Sequence, residues 1–273
     1  MPNSDAMTTS SPSVKITSLP YSLLRFPPNP RPKALPPPSN NPAFAHPFSI
    51  SPNVYNALLD INVPITIALL YMTTVTYLNR YNAQRSHKPW PISKTKLFFI
   101  FVIAHNVLLA AYSAWTCLGM INAVSLSFPG WRGPYGLAGV VDSFCKINGP
   151  RGLGAAATYD PNIGSWGIAN KTMRLAADGL TPDSTDIGRI WNEGLAFYGW
   201  LFYLSKFYEV LDTFIILAKG KKSSFLQTYH HAGAMLCMWA GIRYMAPPIW
   251  MFVLVNSGLH ALMVRLSRSF WRA

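Results

Sequence analysis

The stretch LFFIFVIAHNVLLAAYSAWTCLGMINAV, residues 97–124, runs for 28 residues without a Lys, Arg, Asp or Glu. A bilayer's hydrocarbon core is crossed by about 20 apolar residues in a helix rising about 1.5 Å per residue. The stretch therefore predicts a membrane-spanning helix. Three others share its character: 61–79 (INVPITIALLYMTTVTYLN), 223–242 (SSFLQTYHHAGAMLCMWAGI) and 244–264 (YMAPPIWMFVLVNSGLHALMV). A fifth, 195–218 (LAFYGWLFYLSKFYEVLDTFIILA), has the length but contains Lys206, Glu209 and Asp212. The expected fold class is an all-α, polytopic membrane helix bundle of about five spans.

Composition points the same way. Half of the 273 residues are apolar and 12% are charged, against about 25% in soluble proteins. Lys and Arg total 23 and Asp and Glu 10. The basic residues sit mostly in tails and in loops beside spans, where anionic lipid or a phosphorylated substrate is the expected partner. No nucleic-acid-binding motif occurs, so no nucleic acid partner is expected. Cys117, Cys145 and Cys237 form neither a metal-type spacing nor a disulfide framework.

Thirteen of the 23 prolines precede residue 53. Proline removes backbone donors and fixes φ, so residues 1–54 are expected to be a disordered, Pro-rich tail ahead of a membrane domain at 55–264 and a basic tail at 265–273. No apolar core of a cleavable signal peptide is present, and insertion is expected to begin at 61–79. The 80–96 connection carries Arg80, Arg85, Lys88, Lys94 and Lys96, and the 219–222 connection carries Lys219, Lys221 and Lys222. Two spans separate them, so both should lie on one side, the cytosolic one by the positive-inside rule. That assigns the 125–190 connection to the lumen, where the sequon Asn170-Lys171-Thr172 could be glycosylated. The Gly, Pro and Asp content of 129–188 reads as an irregular loop with room for one short helix.

Ionisable groups within spans cost roughly 2.5–3.5 kcal/mol each on insertion scales and face a bundle interior or a cavity. Here they concentrate. Lys206, Glu209, Asp212 and Thr213 occupy one arc of about 120° on a helix, and Gln227, His230 and His231 one of about 100°. Asn256 and His260 are one turn apart. Lys206 and Glu209 can pair along their helix, which leaves Asp212 to accept from another helix. Beside His230 or His231 it would fix an imidazole tautomer. His87 and His105 read as helix–helix hydrogen-bonding groups. Six histidines are too few for a di-iron oxygenase of the HxxHH type. Three His ligands would suffice for zinc, but no H-E-x-x-H motif supports it. Imidazole acting as nucleophile or acid–base catalyst needs no metal. A transporter with a His/Asp proton relay is the competing class, and no inverted repeat supports it.

Residues 206–235, KFYEVLDTFIILAKGKKSSFLQTYHHAGAM, resemble the signature of the ELO family of very-long-chain fatty acid elongases, the condensing 3-ketoacyl-CoA synthases of the endoplasmic reticulum. The K-x-x-E-x-x-D-T element stands at Lys206, Glu209, Asp212 and Thr213, the basic turn at 219–222, and the histidine box at Gln227, His230 and His231. An N-x-x-x-H-x-x-M element stands at Asn256, His260 and Met263. Lys88-Pro89 and AHNVLLAAYSAW resemble the family's second span more weakly. The resemblance implies seven spans around a narrow acyl tunnel and decarboxylative condensation of malonyl-CoA with a long-chain acyl-CoA. It implies His230 as acyl acceptor, with His231 and His260 assisting malonyl decarboxylation or positioning the second substrate. Asp212 would orient an imidazole, with Lys206, Glu209, Gln227 and Asn256 at the substrate site and Lys219, Lys221 and Lys222 on CoA phosphates.

No metal or other cofactor is implied. The implied partners, besides acyl-CoA, malonyl-CoA and membrane lipid, are the ketoreductase, dehydratase and enoyl reductase of the elongation cycle, and a homo-oligomer is compatible. Gln227 in place of a first box histidine resembles fungal and plant-type members, and an amide is a poor zinc ligand. After Met263 the family continues with a Y-x-Y-Y run and two more spans, whereas this chain reads VRLSRSFWRA. A C-terminally shortened elongase, or an inactive partner of a full-length one, is therefore also expected.

Overall fold

The computed structural model describes residues 32–38, 42–133, 135–147, 149, 152–153, 155–168, 175, 181–183, 185–186 and 188–270, with helical side chains through 262. The sequon at Asn170, the side chains of residues 263–270 and the whole of residues 271–273 lie outside them.

Helices dominate, as the apolar runs require. A short α1 (Pro52–Ala57) precedes α2 (Asn62–Gln84), and a 3-10 turn at Pro91–Lys94 leads into α3 (Lys96–Ser127). The extra-helical connection contains α4 (Gly136–Cys145). Then come a π-helical stretch (Trp191–Gly199), α5 (Trp200–Tyr208), α6 (Val210–Ala218), α7 (Phe225–Arg243) and α8 (Trp250–Phe270). Thr95 starts α3 by accepting the Phe98 amide on its hydroxyl, and Ser224 does the same for α7 through Gln227. Among the described residues, α3 is the one helix both long and apolar enough to cross a membrane. The other four expected spans fall on α2, the α5–α6 pair, α7 and α8. Each is shorter than α3 or diluted by polar residues.

α3 packs against α8 and the π-helical stretch, α2 against α6 and α7, and α5 against α7. Both lysine-rich connections lie at one end. There the Trp90 amide donates to the Ala218 carbonyl (2.9 Å), Asn82 to Leu217 (2.8 Å) and Asn79 to Ser223 (3.1 Å). Gly220 makes this junction possible. Its φ is 75°, and a β-carbon would collide with the His87 carbonyl.

The single helix expected over 195–218 is corrected. The chain starts it as a π-helix, in which the Leu195 amide reaches back to Ile190 (3.0 Å), and breaks it again between α5 and α6. Gly194 sits at φ 149°, where a β-carbon would lie 3.1 Å from the Ala123 methyl and 3.3 Å from the Tyr198 ring. The wide turn and the missing side chain together let α3 approach.

The tail assigned to 1–54 is corrected over its described part. Ala34 and Ile50 are buried. The segment is held by donors from the bundle: Arg243 to the Pro32 carbonyl (2.8 Å), Trp191 to Leu35 (3.2 Å) and Tyr198 to Phe44 (2.6 Å). Asn56 both donates to and accepts from Ala34 (3.1 and 3.0 Å). Proline's missing amides matter little in an extended strap whose carbonyls are satisfied by side chains. Tyr55 is fully buried, stacks on Trp200 (5.2 Å, 11°) and donates to the Ala196 carbonyl. Burial pushes its phenol well above the usual range.

The described part of the 129–188 connection holds more regular structure than the one short helix expected. Beyond α4 it holds an antiparallel hairpin, β1 (Ala157–Asp160) and β2 (Ser165–Ile168), in register Ala157↔Ile168. The turn is closed by Asp160, which accepts the Asn162 amide on its carboxylate and the Gly164 amide on its carbonyl. Arg189 donates to both Asp142 carboxylate oxygens (3.0 Å each), and Asp142 also accepts the Gly152 amide. Burial pulls the Arg189 guanidinium below its ordinary value, and Asp142 opposes that shift.

Candidate active site

The K-x-x-E-x-x-D-T face spans the break between α5 and α6, with Lys206 and Glu209 almost wholly buried on either side of Tyr208. The Lys206 ammonium donates to Glu209 (2.6 Å) and across to the Asn256 amide oxygen on α8 (2.8 Å). It also lies 3.8 Å from the Phe202 ring centroid. Glu209 accepts from the Ser205 hydroxyl (3.1 Å), and its other oxygen lies 3.9 Å from His260 Nε2. Four of the residues singled out in the sequence, Lys206, Glu209, Asn256 and His260, thus form one polar knot joining α5, α6 and α8.

Asp212 behaves differently from expectation. Its carboxylate meets His105 Nε2 on α3 (2.8 Å), and His105 Nδ1 meets the Tyr208 hydroxyl (3.0 Å). The imidazole Asp212 contacts is therefore His105 rather than a box histidine. With an ionised carboxylate, Nε2 carries the proton, and Nδ1 accepts from Tyr208. His105 is fully buried here, and Asp212 keeps 29% of its side-chain exposure. The sequence pattern marks His105 only as a helix–helix hydrogen-bonding group and does not mark Tyr208. The AHN run within an apolar span was the available signal.

The histidine box lies on α7. His231 is buried, edge-on to the Tyr71 ring at 6.2 Å, and the His230 ring is 5.7 Å from it. His230 is exposed. Gln227 donates weakly to Thr213 (3.4 Å), whose hydroxyl also meets Tyr71 (2.9 Å). Thr213 thereby links the box helix to α2 and to the K-x-x-E-x-x-D-T face. Lys221 and Lys222 are exposed at the turn before α7, and Lys219 is half-buried. Among the described residues, no three His, Cys, Asp or Glu side chains converge as metal ligands would.

An apolar cavity of about 280 Å³ opens between α3 and α5, walled by Leu109, Tyr112 and Leu204 among others. Ser205 and Tyr208 also line it. Ser205 is bonded to Glu209 and Tyr208 to His105, so the cavity adjoins both polar groups.

A helical membrane protein with a buried Lys–Glu–Asn–His knot, a histidine pair and an adjoining apolar cavity is the class these features define. The chain belongs to the ELO family (GNS1/SUR4 family), whose model matches residues 56–264. It is 26% identical to "Fatty acid elongase 2" of Trypanosoma brucei brucei over 170 residues, 58% of each chain. It is 33% identical to "Very long chain fatty acid elongase 3" of Homo sapiens over 98 residues, 36% of each. With "Fatty acid elongase sre1" of Dictyostelium discoideum it shares 37% identity over 70 residues, 25% of this chain and 26% of that one. The matched part therefore spans just over half of the first relative and about a third or less of the other two. No solved structure matches the chain.

Proposed function

We propose that the protein is a condensing enzyme of fatty acid elongation, a very-long-chain 3-oxoacyl-CoA synthase of the endoplasmic reticulum membrane. The observation that carries this reading is the meeting of the K-x-x-E-x-x-D-T face, Asn256 and His260 beside an apolar cavity. That arrangement sets a polar reaction centre against room for an acyl chain. Family membership and relatives named as elongases support it.

In this mechanism His230 attacks the thioester carbonyl of an acyl-CoA. The C–S bond breaks, the CoA thiolate leaves and takes a proton, and the acyl group rests on imidazole. Malonyl-CoA then loses CO2, and the freed electron pair at its α-carbon attacks the acyl carbon. The C–N bond breaks, the released imidazole nitrogen takes up one proton from solvent to restore neutral His230, and 3-ketoacyl-CoA departs for the reductases and dehydratase of the cycle. His231 and His260 act on the malonyl group, and the Lys206–Glu209 pair holds His260 and Asn256 in place. Asp212 works through His105, which it orients toward Tyr208 at the cavity wall. Lys221 and Lys222 offer point charges to CoA phosphates.

The test is to supply microsomes containing the full chain with labelled malonyl-CoA and a panel of acyl-CoAs. Labelled 3-ketoacyl product, lost in His230→Ala at equal protein level, is the expected result. Wild-type protein without product, or undiminished product from His230→Ala, would sink the mechanism.

A further inference from the structure

α4 presents an outward apolar stripe that no described residue covers. Leu137 is 67% exposed and Val141 49%, and Cys145 continues their i, i+4, i+8 line. Trp131 and Tyr135, just before the helix, are 68% and 48% exposed. The opposite face is tied into the protein. Asp142 holds Arg189 and Ser143 is buried, while Phe144, seven residues on from Leu137 and so at the edge of the stripe, brings its ring 5.3 Å from that of Trp250.

Trp250 fixes the level of α4, because it is the first residue of α8. A tryptophan at the mouth of a span marks the membrane–water interface. Exposed apolar residues also stand on the nearby helix ends: Ile121 and Leu126 toward the end of α3, and Met251 and Val255 at the start of α8. Arg132 and Lys146 are exposed at either side of it. The one acid between them, Asp142, is buried and paired. Apolar centre, aromatic edge and cationic flanks are the chemistry of an interfacial helix on phospholipid.

We infer that α4 is a membrane-surface anchor, seated on the leaflet opposite the lysine-rich turns with Leu137 and Val141 among the acyl chains and Arg132 and Lys146 at lipid phosphates. This rests on the membrane-spanning part of the proposed function and not on its chemistry. A half-inserted α4 would hold the start of α8, against which it packs, at the bilayer surface and so fix the entry angle of that helix.

Single cysteines placed in the full chain, with Cys117, Cys145 and Cys237 replaced by Ala, give the test. Leu137→Cys and Val141→Cys would be compared with Val107→Cys, mid-α3, and Ile163→Cys, at the exposed hairpin tip. The protein would be in vesicles of phosphatidylcholine with a fifth phosphatidylserine, open to a membrane-impermeant maleimide from both sides. Positions 137 and 141 should label on the order of tenfold more slowly than 163, and recover in detergent on adding a denaturant. A bimane at 141 should be quenched by lipid spin-labelled near the headgroup more than by lipid labelled at the chain end. Labelling at 137 and 141 as fast as at 163, with 107 protected, overturns the anchor. Fast labelling at 107 as well overturns the membrane reading beneath it. Protection at 137 and 141 with the bimane at 141 quenched by neither spin-labelled lipid identifies a protein contact and also overturns the anchor.

Discussion

Two of the polar groups in this bundle, the Lys206 knot and the α7 box, are built on different terms. The Lys206 knot is closed: its ammonium and the Glu209 carboxylate are almost fully buried, and each makes at least two polar contacts. The α7 box is open: His230 is exposed, and Gln227 makes one long hydrogen bond at 3.4 Å. A buried charge pair in an apolar setting persists only while every partner remains. An exposed imidazole is free to meet a substrate. On the proposed mechanism, the difference places the nucleophile in the box and leaves the knot to hold His260 for the malonyl step.

The comparison breaks most sharply at His230. His230→Ala should lower condensation on the order of 10⁴-fold or more, as expected for a covalent nucleophile, and should leave thermal unfolding in detergent almost unchanged. Radiolabelled malonyl incorporation per folded molecule reads the first, and a melting curve the second. A large loss of stability with modest loss of turnover would reverse the assignment of roles.

Lys206→Met should do the opposite. It leaves Glu209 buried without its cation, which costs about 3–5 kcal/mol, enough to deplete the folded protein. The double replacement Lys206→Met with Glu209→Gln should recover much of that loss, because the unpaired charge is removed with its partner. Melting temperatures of the two single variants and the double one check this. Additive losses in the double variant would mean the pair is not a unit.

His105→Ala comes next. It removes two hydrogen bonds but leaves Asp212 partly exposed to relieve its charge, so the stability loss should be about 1–3 kcal/mol. His105→Gln, which can still donate to Asp212, should restore stability more than activity if the imidazole positions Tyr208. Equal recovery of both would reduce His105 to a packing group.

These expectations draw on different depths of the sequence. The helices were legible because α3 and α7 are apolar runs with Thr and Ser at their starts, and the Lys206–Glu209 pairing follows from i, i+3 spacing alone. Asp212's partner was not legible. Choosing His105 over His231 depends on how α3 is rotated and shifted against α6, which a one-dimensional pattern does not contain. The strap at 32–38 is hidden in the sequence for a related reason. Its prolines argue against helix and sheet, yet its carbonyls are matched by Arg243, Trp191 and Asn56, residues up to 211 positions away. Likewise nothing in WNEGLAFYG marks a π-helix except Gly194 within it. The close approach of Ala123 makes that glycine necessary, and it is visible only once α3 is in place.

The smallest effect tests whether the open box is set by its own helix or by its neighbours. Ser224 caps α7 by accepting the Gln227 amide at 3.1 Å, and Ser224→Ala should cost about 1 kcal/mol. That loss falls in the first turn, within two turns of His230. If the box geometry comes from packing of His231 against Tyr71 and of Thr213 against Gln227, fraying of the first turn should leave turnover per folded molecule within about twofold. If the cap itself aims His230, turnover should fall several times further than stability. The same assay on Ser224→Asp, which keeps a capping oxygen and adds a charge favoured at a helix N-terminus, separates the two. Recovered stability without recovered turnover would show that the turn's shape, and not its strength, positions the nucleophile.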